Sequence, residues 1–115
     1  MPSSEAQLLN IRKAYTSAGL GYDKTVYVEC HGTGTQVGDP RELTAISEAL
    51  CSDKSPDNPL LVGSIKTNIG HLEGSAGVAG IIKATLVLEK GILPKHINFE
   101  AWNPDIDATA LKFQV

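Results

Sequence analysis

The stretch VECHGTGTQVGDPRE, residues 28–42, joins the end of a predicted strand to a glycine-rich loop and a predicted helix. The residues KTVYVECH form a nearly continuous run of β-branched, aromatic and apolar side chains, which is typical of a strand in a sheet covered on both faces. Asp39 can cap the helix, Pro40 fits its first turn, and Glu42 stands at the capping-box position. The stretch therefore predicts a strand over residues 24–31, a loop and a helix beginning at Asp39.

Helices and strands alternate on both sides of this stretch. Ser4 and Gln7 are spaced as a capping box for a first helix, which two glycines end. A second buried strand is predicted over residues 60–66, and short strands over residues 97–99 and 111–115. This order of elements predicts a layered α/β domain.

Two predicted helices differ in their apolar pattern. The helix after the glycine-rich loop has a single core stripe, formed by Leu43, Ile46 and Leu50. The helix over residues 74–90 is apolar almost all round, so we expect it to be buried on several sides. Gly77 and Gly80 suggest that a neighbouring element approaches this helix closely.

Composition and charge predict one soluble globular domain over residues 1–115. Of the residues, 42% are hydrophobic and 20% are charged, which argues against a disordered chain. A net charge of −3 without a basic run gives no electrostatic case for nucleic acid or an anionic membrane. With two cysteines, no signal-peptide pattern and no uninterrupted apolar span, the expected location is the cytoplasm, with reduced thiols.

The glycine-rich loop raises the hypothesis of a phosphate cradle. Gly32, Gly34 and Gly38 follow a strand and precede a helix, but their spacing is not G-x-G-x-x-G. Asp39 at the helix start would repel a pyrophosphate. Turn formation is therefore the favoured role for these glycines.

Cys30 and His31 raise the hypothesis of a nucleophile and its base. Neighbouring side chains on a strand point to opposite sides of the sheet, so the two rarely come within hydrogen-bond reach. Cys30 is therefore interpreted as a small buried hydrophobe. Cys51 has no partner in the sequence.

The candidate site is a pair of histidines. His31 and His71 each follow a predicted strand, and in an open α/β sheet the residues just past the strand ends meet in the functional crevice. Lys66 could join them with a positive charge. Hydroxyl and amide partners for a polar ligand would come from Thr33, Thr35, Thr67 and Asn68.

A metal site would need three or four ligands. His31, Asp39, His71 and Glu73 could be enumerated, but no H-x-x-x-H or C-x-x-C spacing supports them. Lys66 would also oppose a nearby cation, so no metal is predicted. Glu73 and Glu29 are interpreted as solvated or ion-paired groups.

Four segments resemble the C-terminal half of the β-ketoacyl synthase (ketosynthase) domain of an iterative polyketide synthase: PSSEAQ, VECHGTGTQVGDPRE, VGSIKTNIGHLEGSAGVAGIIK and LEKGILPKHINFEAWNP. The segments stand in the family's order, and the residues GHLEG and HINFEAWNP look most like those of the highly reducing synthases of fungi. The resemblance implies a thiolase-like fold, in which this chain is the C-terminal α/β half, layered α-β-α with a mixed sheet. Residues 74–90 would then belong to the central helical layer.

The resemblance also implies roles for the candidate residues. Such enzymes load an acyl chain from an acyl carrier protein onto a cysteine, then decarboxylate a malonyl thioester to an enolate that attacks it. His31 and His71 match the two catalytic histidines, which would bind the thioester carbonyl and stabilise the enolate, and Lys66 matches the active-site lysine. Thr33 and Thr35 match hydroxyls that touch the phosphopantetheine arm. The chemistry needs no metal and no separate redox cofactor.

One departure from the family leaves the function open. The family's nucleophilic cysteine lies in the N-terminal half, in a T-A-C-S-S type motif that this sequence lacks. The chain could be a truncated ketosynthase that handles polyketide or acyl thioesters but cannot condense them alone. It could instead be a freestanding acid–base catalyst of polyketide cyclisation, isomerisation or release, or a non-catalytic module that binds carrier protein or polyketide. Because half of a stacked fold leaves a helix face uncovered, we expect a homodimer through residues 74–90.

Overall fold

A three-stranded parallel sheet organises the molecule. The computed structural model describes residues 3–55, 57–109 and 111–115. The strands are Tyr27–Glu29 (β1), Leu60–Gly63 (β2) and Phe113–Gln114 (β3), in the order β1-β2-β3, and both neighbouring pairs are parallel. The expectation of a mixed sheet is wrong for these described strands, because the connections return the chain to the same end of the sheet each time.

In the described part of the chain four α-helices accompany the sheet: Ser4–Ala18 (α1), Gly38–Leu50 (α2), Lys66–Ile69 (α3) and Ala76–Lys90 (α4). Short 3₁₀ turns cover Tyr22–Lys24 and Glu73–Ser75. The predicted alternation of helices and strands is confirmed, with two exceptions. β2 ends at Gly63, so Lys66 begins a helix instead of ending a strand. Residues 97–99 are not a strand, because Asn98 adopts a left-handed backbone with φ 58° inside a turn.

The first helix shows how local sequence sets an element's ends. Ser3, one residue before the predicted cap, accepts a hydrogen bond from the Ala6 N–H at 3.2 Å. Gly19 ends the helix in the left-handed conformation, with φ 69°. The Ser4 hydroxyl donates to the Arg41 carbonyl at 2.9 Å, so it ties α1 to α2 instead of capping its own helix.

The core lies between α1, α2 and one face of the sheet. The predicted stripe of Leu43, Ile46 and Leu50 is buried, and Leu60 of β2 is fully enclosed. Cys30 is 8% exposed within this core, which confirms its interpretation as a packing residue. The remaining buried members of the cluster are Ala49, Cys51, Val62, Ile106 and Phe113.

The other face of the sheet meets α4. Tyr27 and Glu29 of β1 alternate with Val28, which packs against the core, so their side chains point to the opposite face and reach Lys83 of α4. The expectation that this helix is buried on several sides is wrong for the chain, since α4 buries only Ala76 and Lys83. Its apolar side chains stay exposed because the described residues leave that face uncovered, as at Val78, Ile81, Ile82, Leu86 and Leu88. No helix in the described ranges is long and apolar enough to cross a membrane.

Candidate active site

The two histidines singled out by the sequence lie against each other. The rings of His31 and His71 meet edge to face, with centroids 5.6 Å apart and planes at 87°. Both side chains are exposed. The fold therefore brings together two imidazoles that are far apart in the chain, at the end of β1 and just after α3.

The backbone at His31 is fixed by a carboxylate from α2. Glu42 accepts hydrogen bonds from the His31 N–H at 2.6 Å and from the Gly32 N–H at 3.0 Å. Hydrogen bonds to a charged acceptor are the stronger kind, so this two-pronged contact holds the peptide that carries the histidine. The predicted capping role of Glu42 is therefore wrong. The signal that could have revealed this contact is an acidic residue near the start of a helix that follows a loop, because the N–H groups of such a loop need acceptors.

The glycine-rich loop is a turn in which the N–H groups of Gly32, Gly34 and Gly38 already donate hydrogen bonds within the chain. Asp39 accepts from the Gly34 N–H at 3.2 Å, and the Thr35 hydroxyl accepts from the Gly38 N–H at 3.0 Å. Gly32 has φ +50°, and a Cβ there would lie 3.0 Å from the Cβ of Ser64. Only glycine fits that position without movement, which supports turn formation over phosphate binding. Asp39 is thus a loop anchor instead of the predicted helix cap.

His71 directly follows a second glycine turn, which sets its position. Gly70, which ends α3, has φ 76° and ψ −179°, a conformation that is essentially restricted to glycine. Its N–H donates to the Lys66 carbonyl at 2.8 Å, which closes the single turn of α3. The chain then passes His71 and enters α4 through the 3₁₀ turn at residues 73–75.

His31 stands between two clefts. One, of about 290 Å³, contains His31 and Lys66 together with Glu29 and Cys30 from β1 and its end, and small residues of α4. The other, of about 510 Å³, contains His31 with Thr33 and Thr35. Three residues of the predicted site, Lys66, Thr33 and Thr35, thus share a cleft with His31, whereas His71 lines neither cleft.

Asn68, like His71, is a predicted site residue that these clefts leave out. Its side-chain oxygen accepts a hydrogen bond from the Thr67 hydroxyl at 3.1 Å, and it lies exposed on α3. It lines neither cleft that contains His31. A role for Asn68 in binding substrate stays a prediction, as do the roles of the histidines, Lys66 and the threonines.

Cys30 reaches one cleft wall but is poorly suited to be a nucleophile. Burial raises the pKa of its thiol far above the usual range, and the nearby Glu42 carboxylate raises that pKa further. A thiol in this state holds its proton at neutral pH and is unreactive. Burial likewise raises the pKa of Cys51.

The comparisons with known proteins decide the family. A model of the β-ketoacyl synthase C-terminal domain matches residues 1–100. The chain belongs to the β-ketoacyl synthase family. The resemblance read from its motifs is confirmed, and the chain corresponds to the C-terminal part of a ketosynthase domain.

Curated relatives of this ketosynthase domain are large fungal synthases. The chain is 51% identical over 115 residues to the hybrid PKS-NRPS synthetase pytA of Aspergillus terreus. That alignment covers all of the chain and 17% of the synthetase. It is 55% identical over 105 residues to the highly reducing polyketide synthase 40 of Fusarium mangiferae. This second alignment covers 91% of the chain and 4% of that synthase. The chain therefore spans only a small part of the relatives it matches.

Solved ketosynthases share the fold over the whole chain. Ketosynthase twelve of the bacillaene polyketide synthase of Bacillus amyloliquefaciens matches with a TM-score of 0.90 at 36% identity, over 100% of this chain and 20% of that chain. The module 6 ketosynthase of the Bacillus subtilis 168 bacillaene synthase matches with a TM-score of 0.90 at 35% identity, over 99% of this chain and 20% of that chain. The thiolase-like α/β class implied by the motifs is thereby confirmed.

Proposed function

We propose that this chain supplies the two-histidine half of a ketosynthase site, which binds malonyl or acyl thioesters and stabilises the thioester enolate. The edge-to-face contact of His31 and His71 at 5.6 Å supports this function most directly, because it presents two imidazole groups to one small substrate. The family to which the chain belongs makes a thioester the expected substrate class. The thioester would arrive on the phosphopantetheine arm of an acyl carrier protein.

The chemistry that these side chains favour is decarboxylation of a malonyl thioester. The bond between the carboxylate and the α-carbon breaks, carbon dioxide leaves, and the electron pair moves onto the thioester oxygen as an enolate. N–H groups of His31 and His71 donate hydrogen bonds to that oxygen as its charge develops, which lowers the barrier. The α-carbon then takes a proton from water.

The neighbouring residues divide the remaining tasks. Lys66 adds a positive charge to the cleft that it shares with His31. Thr33 and Thr35 line the second cleft with hydroxyl groups, where the pantetheine arm would bind. Both cysteines are buried with raised pKa values, so these described thiols do not carry an acyl chain and condensation needs a nucleophile from elsewhere.

The catalytic test measures release of labelled carbon dioxide from malonyl-pantetheine by the chain. His31→Ala and His71→Ala should each lower kcat on the order of a hundredfold, since each removes one donor to the developing charge. His96→Gln is the matched control, because it removes the remaining histidine, which packs near Gly63 and outside the pair. Equal rates in all four proteins would overturn the proposal.

Two other hypotheses would then be separated by the same variants. A histidine-dependent change in an offered polyketide, without decarboxylation, would favour the freestanding acid–base catalyst. Binding of pantetheine that survives both histidine variants, with no turnover, would favour the non-catalytic module. Intact mass after incubation with an acyl thioester provides the control for Cys30, which should remain unmodified.

The exposed face of α4 supports a homodimer as part of this proposal. Ile81 and Ile82 are 69% and 55% exposed, and large apolar patches of this kind mark sites of association. A second copy would cover the face in a two-fold contact of α4 with α4. Sedimentation at micromolar concentration should give the mass of a dimer, and Ile82→Glu should give a monomer. A monomeric mass for the unmodified chain would contradict this contact.

A further inference from the structure

A closed polar network is buried between β1 and α4. The Lys83 ammonium lies 2.8 Å from the Glu29 carboxylate, and the two side chains are 9% and 13% exposed. The Tyr27 hydroxyl accepts from Lys83 at 2.8 Å and donates to Oε2 of Glu29. Burial and the adjacent carboxylate both raise the pKa of Tyr27, so the hydroxyl stays protonated as a donor. A buried ion pair seldom stabilises a protein more than apolar residues would, so its presence calls for a specific role.

The second oxygen of Glu29 reaches the turn that carries Lys66. Oε1 accepts a hydrogen bond from the Ile65 N–H at 2.5 Å. Ile65 is the N-cap residue of α3, immediately before Lys66, and its side chain makes no cap hydrogen bond there. Because Glu29 also lines the cleft that contains His31 and Lys66, one carboxylate joins the end of β1 to the peptide that sets the lysine.

Lys83 links Glu29 to the helix that follows His71. It is one of two buried side chains of α4, and the helix begins directly after the turn that follows His71. A Cβ at Gly80 would lie 3.4 Å from Cγ of Glu29, so α4 passes close to the carboxylate. The ion pair therefore fixes the helix whose start determines where His71 lies.

We propose that Glu29 is a positioning residue of the site, which sets Lys66 through the Ile65 N–H and His71 through the Lys83 ion pair. Glu29 touches no substrate in this role and acts through the residues that it holds. The inference rests on the proposed function for its catalytic consequence, but its geometric consequence is independent of catalysis. Lys83 is then the counter-charge that lets a carboxylate occupy this buried position.

The test compares two double variants of the full chain. Glu29→Gln/Lys83→Met removes both charges but keeps a carbonyl oxygen that can accept from the Ile65 N–H. Glu29→Leu/Lys83→Met removes both charges and the acceptor. Since neither leaves a buried charge unpaired, both should retain the α1–α2 core. Lys90→Met is the matched control, since it makes the same substitution at an exposed position of α4.

NMR gives the geometric readout. In the unmodified chain and in the glutamine variant, the Ile65 amide should be protected from solvent exchange, and nuclear Overhauser contacts should join the rings of His31 and His71. In the leucine variant the Ile65 amide should exchange freely and the ring contacts should weaken. Equal protection and equal contacts in the two double variants would overturn the proposal. Rapid exchange of the Ile65 amide in the unmodified chain would overturn it even if neither variant folds.

Kinetics give the functional readout. In the decarboxylation assay, the leucine variant should lose roughly tenfold to a hundredfold in kcat relative to the glutamine variant, with KM little changed, because misplaced groups act on the transition state. The control should match the unmodified chain. If the unmodified chain shows no decarboxylation, the proposed function fails, while the NMR comparison still decides whether Glu29 positions the site. Equal kcat values in two folded double variants would contradict the positioning role.

Discussion

α2 and α4 are both helices with many apolar residues beside the same sheet, yet the apolar side chains of α2 are buried and most of those of α4 are exposed. α2 buries Leu43, Ala45, Ile46, Ala49 and Leu50 against α1 and the strands. α4 is richer in large aliphatic residues but leaves most of them exposed, and one of its two buried side chains is a lysine. The α2 side of the sheet is therefore completed by this chain, whereas the α4 side is held by an ion pair and leaves its apolar surface exposed.

The difference between the two helices also explains where the site lies. His31 is fixed from the α2 side, through the Glu42 carboxylate, and His71 leads into α4. The histidine pair thus spans the boundary between the self-sufficient side and the side that lacks cover. Stability and site geometry should consequently respond differently to changes on the two helices.

The largest expected contrast comes from equal truncations on the two helices. Ile46→Ala should lower the free energy of unfolding by about 3 kcal/mol, because the side chain is 4% exposed and its loss leaves a cavity. Ile81→Ala, at a side chain 69% exposed, should change it by less than about 0.5 kcal/mol in the monomer. Urea denaturation at low protein concentration measures both. Similar losses at the two positions would mean that α4 is covered within the chain.

A smaller loss is expected in the loop that α2 holds. Gly32→Ala should destabilise the fold by about 2 kcal/mol, because alanine at φ +50° is strained and its Cβ would press on Ser64. The His31 and Gly32 amides should also lose protection, since their contact with Glu42 depends on this turn. Thermal unfolding and amide exchange test this. Gly34→Ala separates the two causes, because its φ is +80° but no atom lies within 4 Å of a Cβ there.

On α4 a glycine substitution should act in the opposite direction. A Cβ at Gly77 meets nothing within 4 Å, so Gly77→Ala should stabilise the monomer by about 0.7 kcal/mol through helix propensity. If two copies pack through this helix, the gain should shrink as the protein concentration rises, because the added methyl group then meets the partner. Unfolding midpoints at two concentrations check both parts. A loss of stability at low concentration would show that Gly77 already faces a neighbour.

The smallest expected effect is a pH dependence on the α4 side. Burial lowers the pKa of His96 below its ordinary value, the nearby Lys83 charge lowers it further, and Glu29 opposes the shift. The unfolded chain then binds a proton that the folded chain does not, so His96 makes stability fall as pH drops below that ordinary value. His96→Gln should therefore lose slightly less stability than the unmodified chain between pH 7 and pH 5. A steeper loss in the variant would reverse the sign of this argument.

The sequence predicted the parts of the fold whose causes are local. The 3.6-residue spacing of Leu43, Ile46 and Leu50 identifies a buried stripe, and the run before His31 identifies a strand. The predicted strand over residues 97–99 was wrong because an apolar pattern carries no information about the left-handed backbone at Asn98. The predicted burial of α4 was wrong for a related reason. Periodicity shows which side chains favour burial, but it does not show whether the same chain covers them.

The sequence likewise predicted part of the candidate site, namely its histidines, but not the carboxylate contacts around them. Glycine-rich turns after two predicted strands identified His31 and His71, and the structure places their rings in contact, although α3 separates β2 from His71. The role of Glu42 was missed because a carboxylate near the start of a helix has the same place in the sequence whether it caps the helix or holds the preceding loop. Glu29 was interpreted as solvated or ion-paired, and the ion pair is confirmed, but its bond to the Ile65 N–H depends on tertiary structure.

The most direct test of the proposed site is a double-mutant cycle on decarboxylation of malonyl-pantetheine. His31→Ala, His71→Ala and the double variant are compared with the unmodified chain in kcat. If both imidazoles stabilise one enolate oxygen, each single variant should lose on the order of a hundredfold, and the double variant should lose far less than the product of the two losses. Losses that multiply fully would mean that the histidines act independently. An unchanged rate in either single variant would contradict a shared site.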